Sequence, residues 1–266
     1  MRVEGAAVGT LIARAAEFAL ITGYVLFIDR KIGYRIRHLF LRCRSYIRAY
    51  VTYCIPVLIS DTLLGIGNNM ISVVTGHISG AFVAANAVVT QITRMINVFT
   101  QGLSNSSSVM IGNKLGEGKR EEAYEQGCSF YLLSILVGIA AAGVTATVCP
   151  GIIHGSSLSP ETAAIAKEIM YAVLITTVLG SVNSVLTKGV LRGSGDTRFL
   201  MMADVLFLWL VSVPLGYLVG ILWHAPAFLT YLALRSDWLI KSVWCSIRFF
   251  RGKWLDHGVR SAQEGD

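Results

Sequence analysis

Residues 163–198 read AAIAKEIMYAVLITTVLGSVNSVLTKGVLRGSGDTR, and this stretch decides the fold. Its first part, Ala163–Leu186, is apolar over the roughly 20 residues that a helix needs to cross the hydrocarbon core of a bilayer. Its second part, Gly189–Arg198, is a Gly-rich turn that carries arginines, with Lys188 directly before it. Because cations collect in the cytoplasmic loops of membrane proteins, the stretch predicts a helix that leaves the membrane on the cytoplasmic side.

The same alternation of apolar runs and loops extends along the whole chain. Further runs of spanning length are Gly5–Ile28, Thr52–Gly76, Phe82–Met110, Cys128–Cys149 and Phe199–Leu222, and a last one begins near Ala225. Lys and Arg occur in every second loop, most densely in Arg30–Arg48. Since backbone groups in lipid must be satisfied within the chain, and these runs are too long for barrel strands, the predicted fold class is all-α, a polytopic membrane protein with a cytoplasmic C-terminus.

Charged residues interrupt two of these predicted spans. Arg14 and Glu17 lie three residues apart on one face of the first span, where they can pair with each other or face the rest of a larger bundle. Arg235, Asp237 and Lys241 interrupt the last span. That span either packs its charges against neighbouring helices or ends early in an amphipathic cytoplasmic helix. We favour a crossing, because it keeps the basic tail on the cytoplasmic side.

The composition agrees with a membrane protein and disfavours several other classes. Of the 266 residues, 54% are hydrophobic and 15% are charged, whereas soluble domains have about 25% charged residues. The net charge of +7 comes from cations in loops between apolar runs. Anionic lipid headgroups are therefore the expected partner of these cations, and nucleic acid is not. The five cysteines include no C-x-x-C pair and predict neither disulfides nor a metal site.

Asp61 is the first candidate for chemistry, because it is an acid inside an apolar span. Counted from Thr52 at about 1.5 Å per residue, it lies roughly 13 Å into the bilayer. An ionised carboxylate is costly at that depth, and intramembrane acids often serve transport. We therefore predict an acid whose protonation changes the conformational preference of a carrier. A structural ion pair, or a hydrogen bond to the helix backbone, is the alternative.

Arg94 is the second charge inside a predicted span. Counted from Phe82, it lies roughly 18 Å deep, a level comparable with Asp61 in the antiparallel neighbour. We predict a buried salt bridge that protonation of Asp61 releases; the alternative is that the two charges only neutralise each other. Nearby amide side chains are candidates for the lining of a substrate cavity: Asn68, Asn69, Gln91 and Asn97. For Asn68 and Asn69, hydrogen bonding between helices is an equal alternative.

No motif in the sequence points to an enzyme. The Gly-rich turns Ile111–Lys119 and Gly189–Arg198 lack the pattern G-x-x-x-x-G-K-[ST] of a phosphate-binding loop. Both are typical of a glycine that ends a helix, and Gly-Asp-Thr in the second turn predicts an N-cap for the next helix. Neither a Ser–His–Asp arrangement nor a His–Glu–x–x–His spacing occurs. We therefore expect no catalytic residues, no metal and no cofactor.

Four segments, in order along the chain, resemble the multidrug and toxic compound extrusion (MATE) family. They are Ile55–Asn69, in which Pro is followed by Ser and an acid, the turns Ile111–Gly118 and Gly189–Arg198, and the tail Arg248–Trp254. The family acid in the first segment is usually Glu and is Asp61 here. The resemblance implies a secondary antiporter of the cell (inner or plasma) membrane that exports drugs, organic cations or metabolites in exchange for H⁺ or Na⁺.

The resemblance covers the chain as the second half of such a transporter. It implies that residues 1–28 are the last helix of a first lobe and 29–50 the basic cytoplasmic linker between lobes. Residues 51–245 would then be a six-helix lobe, and 246–266 a basic cytoplasmic tail. The expected partner is a missing N-terminal lobe or a second copy, because alternating access needs two repeats. The alternatives are a flippase for lipid-linked oligosaccharides or polysaccharides of the same superfamily, or an inactive truncated membrane fragment.

Overall fold

The computed structural model describes residues 3–24, 44–155 and 158–255, and the regular elements in these ranges are helices. They are α1 (Val3–Gly23), α2 (Arg44–Ile78), α3 (Gly80–Ile96), α4 (Val98–Gly116), α5 (Arg120–Gly155), α6 (Pro160–Ser184), α7 (Thr197–Phe207), α8 (Val213–Tyr217), α9 (Ala227–Leu234) and α10 (Ser236–Phe250). Three π-helical segments, Val185–Leu191, Leu208–Ser212 and Leu218–Leu222, follow α6, α7 and α8. The prediction of an all-α polytopic fold is confirmed.

Four helical segments of the described chain are long and apolar enough to cross a membrane. They are Cys54–Ile78, Arg120–Ile153, Pro160–Leu191 and Thr197–Leu222. A fifth span results if Gly80–Met95 and Val98–Gly116, which are bent by 48° relative to each other, are taken together. These segments overlap five of the runs predicted from the sequence. The other two predicted runs overlap helix α1 and the broken pair α9–α10.

The run Phe82–Met110 was predicted as one span, and within this span the helix is broken. The chain forms two helices, α3 and α4, that meet at Asn97. Helix α3 begins where Ser79 caps it, with the Ser79 hydroxyl accepting a hydrogen bond of 3.0 Å from the Phe82 N–H. Asn is a weak helix former because its short amide competes with backbone hydrogen bonds. The break at Asn97 changes which side chains of this run face the bundle.

Two hydrophobic clusters form the core of the unit Arg48–Asp266. The first includes Val89, Ile169 and Leu208, and the second includes Leu186 and Phe249. Small residues allow close helix packing beside them, as is usual in membrane bundles. At Gly193, a Cβ atom would lie 2.6 Å from the Ser108 carbonyl oxygen, so this approach of two backbones requires glycine. Hydroxyl pairs also link α4 to α6, for example Ser104 to Ser184 at 3.0 Å.

The two Gly-rich segments form turns, as predicted. Gly118 and Gly195 adopt positive φ angles of 76° and 83°, which are accessible to glycine and strained for other residues. Asp196 occupies the predicted N-cap position of α7, but its side chain makes no capping hydrogen bond there. Its carboxylate accepts a hydrogen bond of 3.0 Å from Arg248 Nε, so this acid joins the α7 turn to the end of α10.

The unit Met1–Ile47 contains the described helix α1. Arg14 and Glu17 form an exposed ion pair of 2.7 Å, so the prediction that they can pair with each other is confirmed. The first part of the predicted linker 29–50, residues 29–43, lies outside the described residues. The end of the predicted tail, 256–266, lies outside them as well.

Candidate functional site

A polar cavity of about 230 Å³ lies within the unit Arg48–Asp266. Its wall is formed by residues of α2, the α3–α4 break, α6, the π-helical segment Val185–Leu191 after α6, α7 and α10. Neutral polar side chains in the wall include Asn68, Asn97, Thr177 and Asn183. Charged side chains in the wall are Lys188, Arg192, Asp204, Arg235, Asp237 and Lys241. A charged cavity inside an apolar helical bundle is the default candidate for a binding site.

A buried ion network lies in the cavity wall. Lys241 Nζ lies 2.7 Å from Asp204 Oδ1 and 3.8 Å from Asp237 Oδ2. The side chains of Lys241, Asp204 and Asp237 are only 4%, 6% and 4% exposed. Buried charges persist only when they are paired and hydrogen-bonded. Two carboxylates therefore share one ammonium group in this network.

Serine hydroxyls complete the hydrogen bonding of both carboxylates. Ser60 Oγ donates to Asp204 Oδ2 at 2.7 Å, and Ser212 Oγ donates to Asp237 Oδ1 at 3.0 Å. Ser212 Oγ also accepts a hydrogen bond of 2.8 Å from the Asp237 backbone N–H. These bonds hold both carboxylates in place, so the network is fixed from α2, from the π-helical segment after α7 and from α10.

Local sequence explains why the network forms at the start of α10. The chain leaves helical geometry at Arg235, where φ is −115° and ψ is 17°, and α10 begins at the next residue. Asp237 lies in the first turn of α10, where a negative charge is favoured by the helix dipole. Lys241 follows four residues later on the same face, at the spacing that lets a helical acid and base meet. The break in the last predicted span therefore positions the two charges of α10.

The structure corrects the predicted partner of Asp61. Asp61 Oδ1 accepts a hydrogen bond of 2.8 Å from Arg192 Nη2, and no ion pair joins Asp61 to Arg94. The two paired side chains are 52% and 29% exposed within the protein. Arg94 lies in the last turn of α3 and is exposed, outside the cavity wall. Counting residues from the membrane surface gave a comparable depth, but it did not give the helix face on which each charge lies.

Of the four amide residues predicted to line the cavity, two lie in its wall and two do not. Asn68 and Asn97 lie in the cavity wall, Asn97 at the break between α3 and α4. Asn69 and Gln91 are exposed and lie outside that wall. The division follows from helix geometry, because Asn68 and Asn69 are neighbours in sequence and project about 100° apart around the helix axis.

Arg235 is the cation of the cavity wall that has neutral partners. Its Nη1 donates to Asn68 Oδ1 at 3.3 Å, and its guanidinium carbon lies 4.9 Å from the ring centroid of Trp238. Such a cation–π contact is attractive but does not neutralise the charge. Within the described ranges, Arg235 forms no ion pair with an acid at 4.0 Å or less.

Sequence reasoning missed Asp204 and the role of Lys241. Asp204 is the one charged residue in the predicted span Phe199–Leu222, so the criterion that selected Asp61 would also have selected it. Asp237 and Lys241 were noticed as interruptions of the last span, with two open outcomes. In the structure these charges pack against Asp204 of α7, and the chain also breaks at Arg235 between α9 and α10. The crossing by the last span stays a prediction.

A second charged cluster lies at the turn between α4 and α5. Glu117 lies 3.1 Å from Lys119 Nζ and 3.3 Å from Lys114 Nζ. The hydrogen bonds from Lys119 and Lys114 lower the pKa of the Glu117 carboxyl below its ordinary value of 4.5. This cluster is solvent-exposed and ties the turn together. No group of three or more His, Cys, Asp or Glu residues that could hold a metal ion occurs in the described part of the chain.

Comparisons with known proteins agree on one family. The MatE family model matches residues 56–218. The chain is 25% identical, over 228 residues, to the probable multidrug resistance protein NorM of Agrobacterium fabrum, covering 82% of this chain and 48% of that protein. It is 25% identical over 139 residues to the multidrug resistance protein MdtK of Yersinia pseudotuberculosis, covering 52% of this chain and 30% of that protein.

Solved structures show the same fold. A MATE protein in its straight conformation aligns with a TM-score of 0.75 at 15% identity, over 94% of this chain and 57% of that chain. An outward-facing multidrug resistance MATE transporter of the MOP superfamily aligns with a TM-score of 0.69 at 19% identity, over 76% and 44% of the two chains. The chain thus spans about half or less of the length of the curated relatives it matches.

Proposed function

Since the chain belongs to the MatE family of multidrug efflux transporters, we propose that it acts as one lobe of a secondary antiporter that exports small molecules in exchange for H⁺ or Na⁺. The observation that carries this proposal is the buried network of Asp204, Lys241 and Asp237 in the wall of a polar cavity. Ionisable groups inside a membrane bundle are costly and are typically kept for transport. Relatives of the chain are named as multidrug resistance proteins, which supports drugs as one substrate class.

The network offers a physical basis for ion coupling. Two carboxylates and one ammonium carry one excess negative charge when both acids are ionised, so the network can take up one H⁺ or one Na⁺. Either ion would weaken the attraction between Lys241 and one carboxylate and change which helix packing is favoured. Removing one partner of a buried ion pair costs about 3–5 kcal/mol, which is an upper bound for the effect of such an ion on this network. That energy is large enough to shift an equilibrium between two transporter states.

Asp61 remains part of the proposal with a different partner. Its ion pair with Arg192 joins α2 to the π-helical end of α6, at the edge of the cavity. Because this pair is more exposed than the Lys241 network, we assign it a smaller energetic role, of about 0–1 kcal/mol. Asp61 would act as an accessory acid, and the network around Lys241 as the main coupling group.

Transport by this lobe requires a second lobe. Alternating access depends on two repeats that move against each other around a central site. We propose that the second lobe comes either from another segment of polypeptide or from a second copy of this chain. We also propose the cell membrane as its location with a cytoplasmic C-terminus, which the cations of alternate loops support.

Reconstituted vesicles test the proposal. The chain is placed in proteoliposomes alone, and also together with the segment encoded directly upstream of it. Efflux of a panel of labelled organic cations and anions is followed under an imposed H⁺ or Na⁺ gradient. We expect export that stops when the gradient is dissipated, and that is lost in Asp204→Asn but kept in the matched surface variant Arg94→Gln.

The outcomes separate the alternatives. Export that is independent of both gradients would contradict antiport. Activity only with the upstream segment would identify the source of the second lobe. A chain that is folded, as judged by circular dichroism, but inactive in both preparations would support the inactive-fragment alternative.

A further inference from the structure

We propose that the cavity binds the anionic group of a small organic molecule, with Arg235 as its main contact. This inference rests on the proposed function, because it names the substrate class of the same cavity. It differs from the organic cations that the sequence led us to expect. Three sets of side chains in the cavity wall carry it: a cation with neutral partners, acids that are already paired, and buried polar atoms without a partner.

Arg235 supplies the positive charge. Its partners are the amide of Asn68 at 3.3 Å and the ring of Trp238 at 4.9 Å, both of which are neutral. A guanidinium has five N–H donors in a planar fork that fits a carboxylate, a sulfonate or a phosphate. The described contacts of Arg235 use one of these donors for a side-chain hydrogen bond. A charge that faces a cavity inside a membrane bundle is expected to have a counter-ion, and a bound anion would supply it.

Each acid near the cavity already has a cationic partner in the protein, and the one excess negative charge of the Lys241 network is assigned to the coupling ion. Asp204 and Asp237 share Lys241, and each also accepts a hydrogen bond from a serine hydroxyl. Asp61 is held by Arg192 at 2.8 Å. The charge that faces the cavity without an acidic partner is therefore positive, and the exposed cation Lys188 lies in the same wall.

Buried polar atoms without partners mark the place where a ligand can bind. Thr177 Oγ1, Asn183 Oδ1 and Arg192 Nε are buried and have no hydrogen-bond partner within the described part of the chain. Thr177 and Asn183 are 3% and 9% exposed, and all three residues belong to the cavity wall. Because buried polar groups in native proteins are almost always satisfied, these atoms require a ligand or ordered water. The Thr177 hydroxyl and the Arg192 N–H are donors, and the Asn183 amide can turn its NH₂ group toward an anion.

The size of the cavity within this lobe limits the part of a ligand that it can hold. Its volume of about 230 Å³ is below the roughly 300–1,000 Å³ that is usual for drug-sized ligands. A compact molecule with one anionic group and a small apolar part fits better than a large multi-ring cation. The apolar part would contact Leu64, Leu200 and Leu208, which also lie in the wall.

Two probes of similar shape and opposite charge test the sign of the site. The purified full chain, in an uncharged detergent, is titrated with benzenesulfonate and with phenyltrimethylammonium, and binding is measured by calorimetry and by Trp fluorescence. We expect saturable binding of benzenesulfonate, weakened by added salt, and much weaker binding of phenyltrimethylammonium. A hydrogen bond to a charged group typically contributes enough for Arg235→Gln to weaken benzenesulfonate binding about 10-fold to 100-fold.

Two further variants keep the test decisive. Asn68→Asp places an acid beside Arg235 without removing the guanidinium, and we expect it to weaken benzenesulfonate binding by a similar factor. Arg94→Gln removes an exposed arginine outside the cavity and should leave binding unchanged. Three outcomes would each overturn the proposal. The first is tighter binding of phenyltrimethylammonium than of benzenesulfonate, and the second is no binding of benzenesulfonate to the folded wild-type chain. The third is an equal effect of Arg235→Gln and Arg94→Gln on benzenesulfonate binding. Because these are binding measurements, they are independent of whether the vesicles show antiport.

Discussion

Replacing Lys241 by Met tests the central feature of the structure, the buried ammonium shared by two carboxylates. Met has a similar length and no charge, so the packing of the side chain is largely kept. The variant leaves Asp204 and Asp237, which are 6% and 4% exposed, without their cation. Removing one partner of a buried ion pair costs about 3–5 kcal/mol, because an uncompensated charge stays buried. The expected loss is therefore a large part of a total stability of about 5–15 kcal/mol.

Unfolding in mixed detergent micelles, followed by circular dichroism, measures this loss. A double-mutant cycle with Asp204→Asn separates the ion pair from side effects. We expect Lys241→Met together with Asp204→Asn to cost less than the sum of the two single changes, with a coupling energy of about 0.5–3 kcal/mol. Arg94→Met serves as the matched control, because Arg94 is exposed. A loss below about 1 kcal/mol for Lys241→Met, or strict additivity in the cycle, would refute the reasoning.

Three further predictions concern the rest of the lobe. Asp61→Asn should lower the free energy of unfolding by only about 0–1 kcal/mol, because the ion pair of Asp61 with Arg192 is half-exposed. A loss as large as that of Lys241→Met in the same unfolding assay would contradict this smaller role. Phe249→Ala should lower the free energy of unfolding by about 3–5 kcal/mol, because Phe249 is fully buried between aromatic rings. Phe99→Ala is the control, because Phe99 is exposed, and it should have little effect in the same thermal unfolding assay. Lys119→Gln should raise the pKa of the Glu117 carboxyl toward 4.5, as measured by an NMR titration. In the wild-type chain, the contacts of Glu117 with the two lysines should be present above pH 4.5 and be lost as the pH falls through the lowered pKa. An unchanged pKa in the variant would show that Lys119 is not the main cause of the shift.

Part of the site could be predicted from the sequence. Asp204 is the one charge in a long apolar run, and Asp237 and Lys241 are spaced to meet on one helix face. These signals identify residues that must be buried or paired. They do not identify the partner, because the network joins α7 to α10 across 37 residues of chain. The partner of Asp61 could not be identified from the sequence either, since Arg192 lies 131 residues away along the chain.

The sequence by itself determined the helical fold class, the membrane setting and the family, because apolar run length, loop charge and turn chemistry are local properties of the chain. The tertiary structure decided which charges meet and which amides reach the cavity. A break such as the 48° bend at the α3–α4 junction rotates every later side chain to a new direction. π-helical segments such as Val185–Leu191 add to this rotation, because each widens the helical turn. Depth in the membrane can be counted along a sequence, but the direction in which a side chain points depends on the packing of the whole bundle.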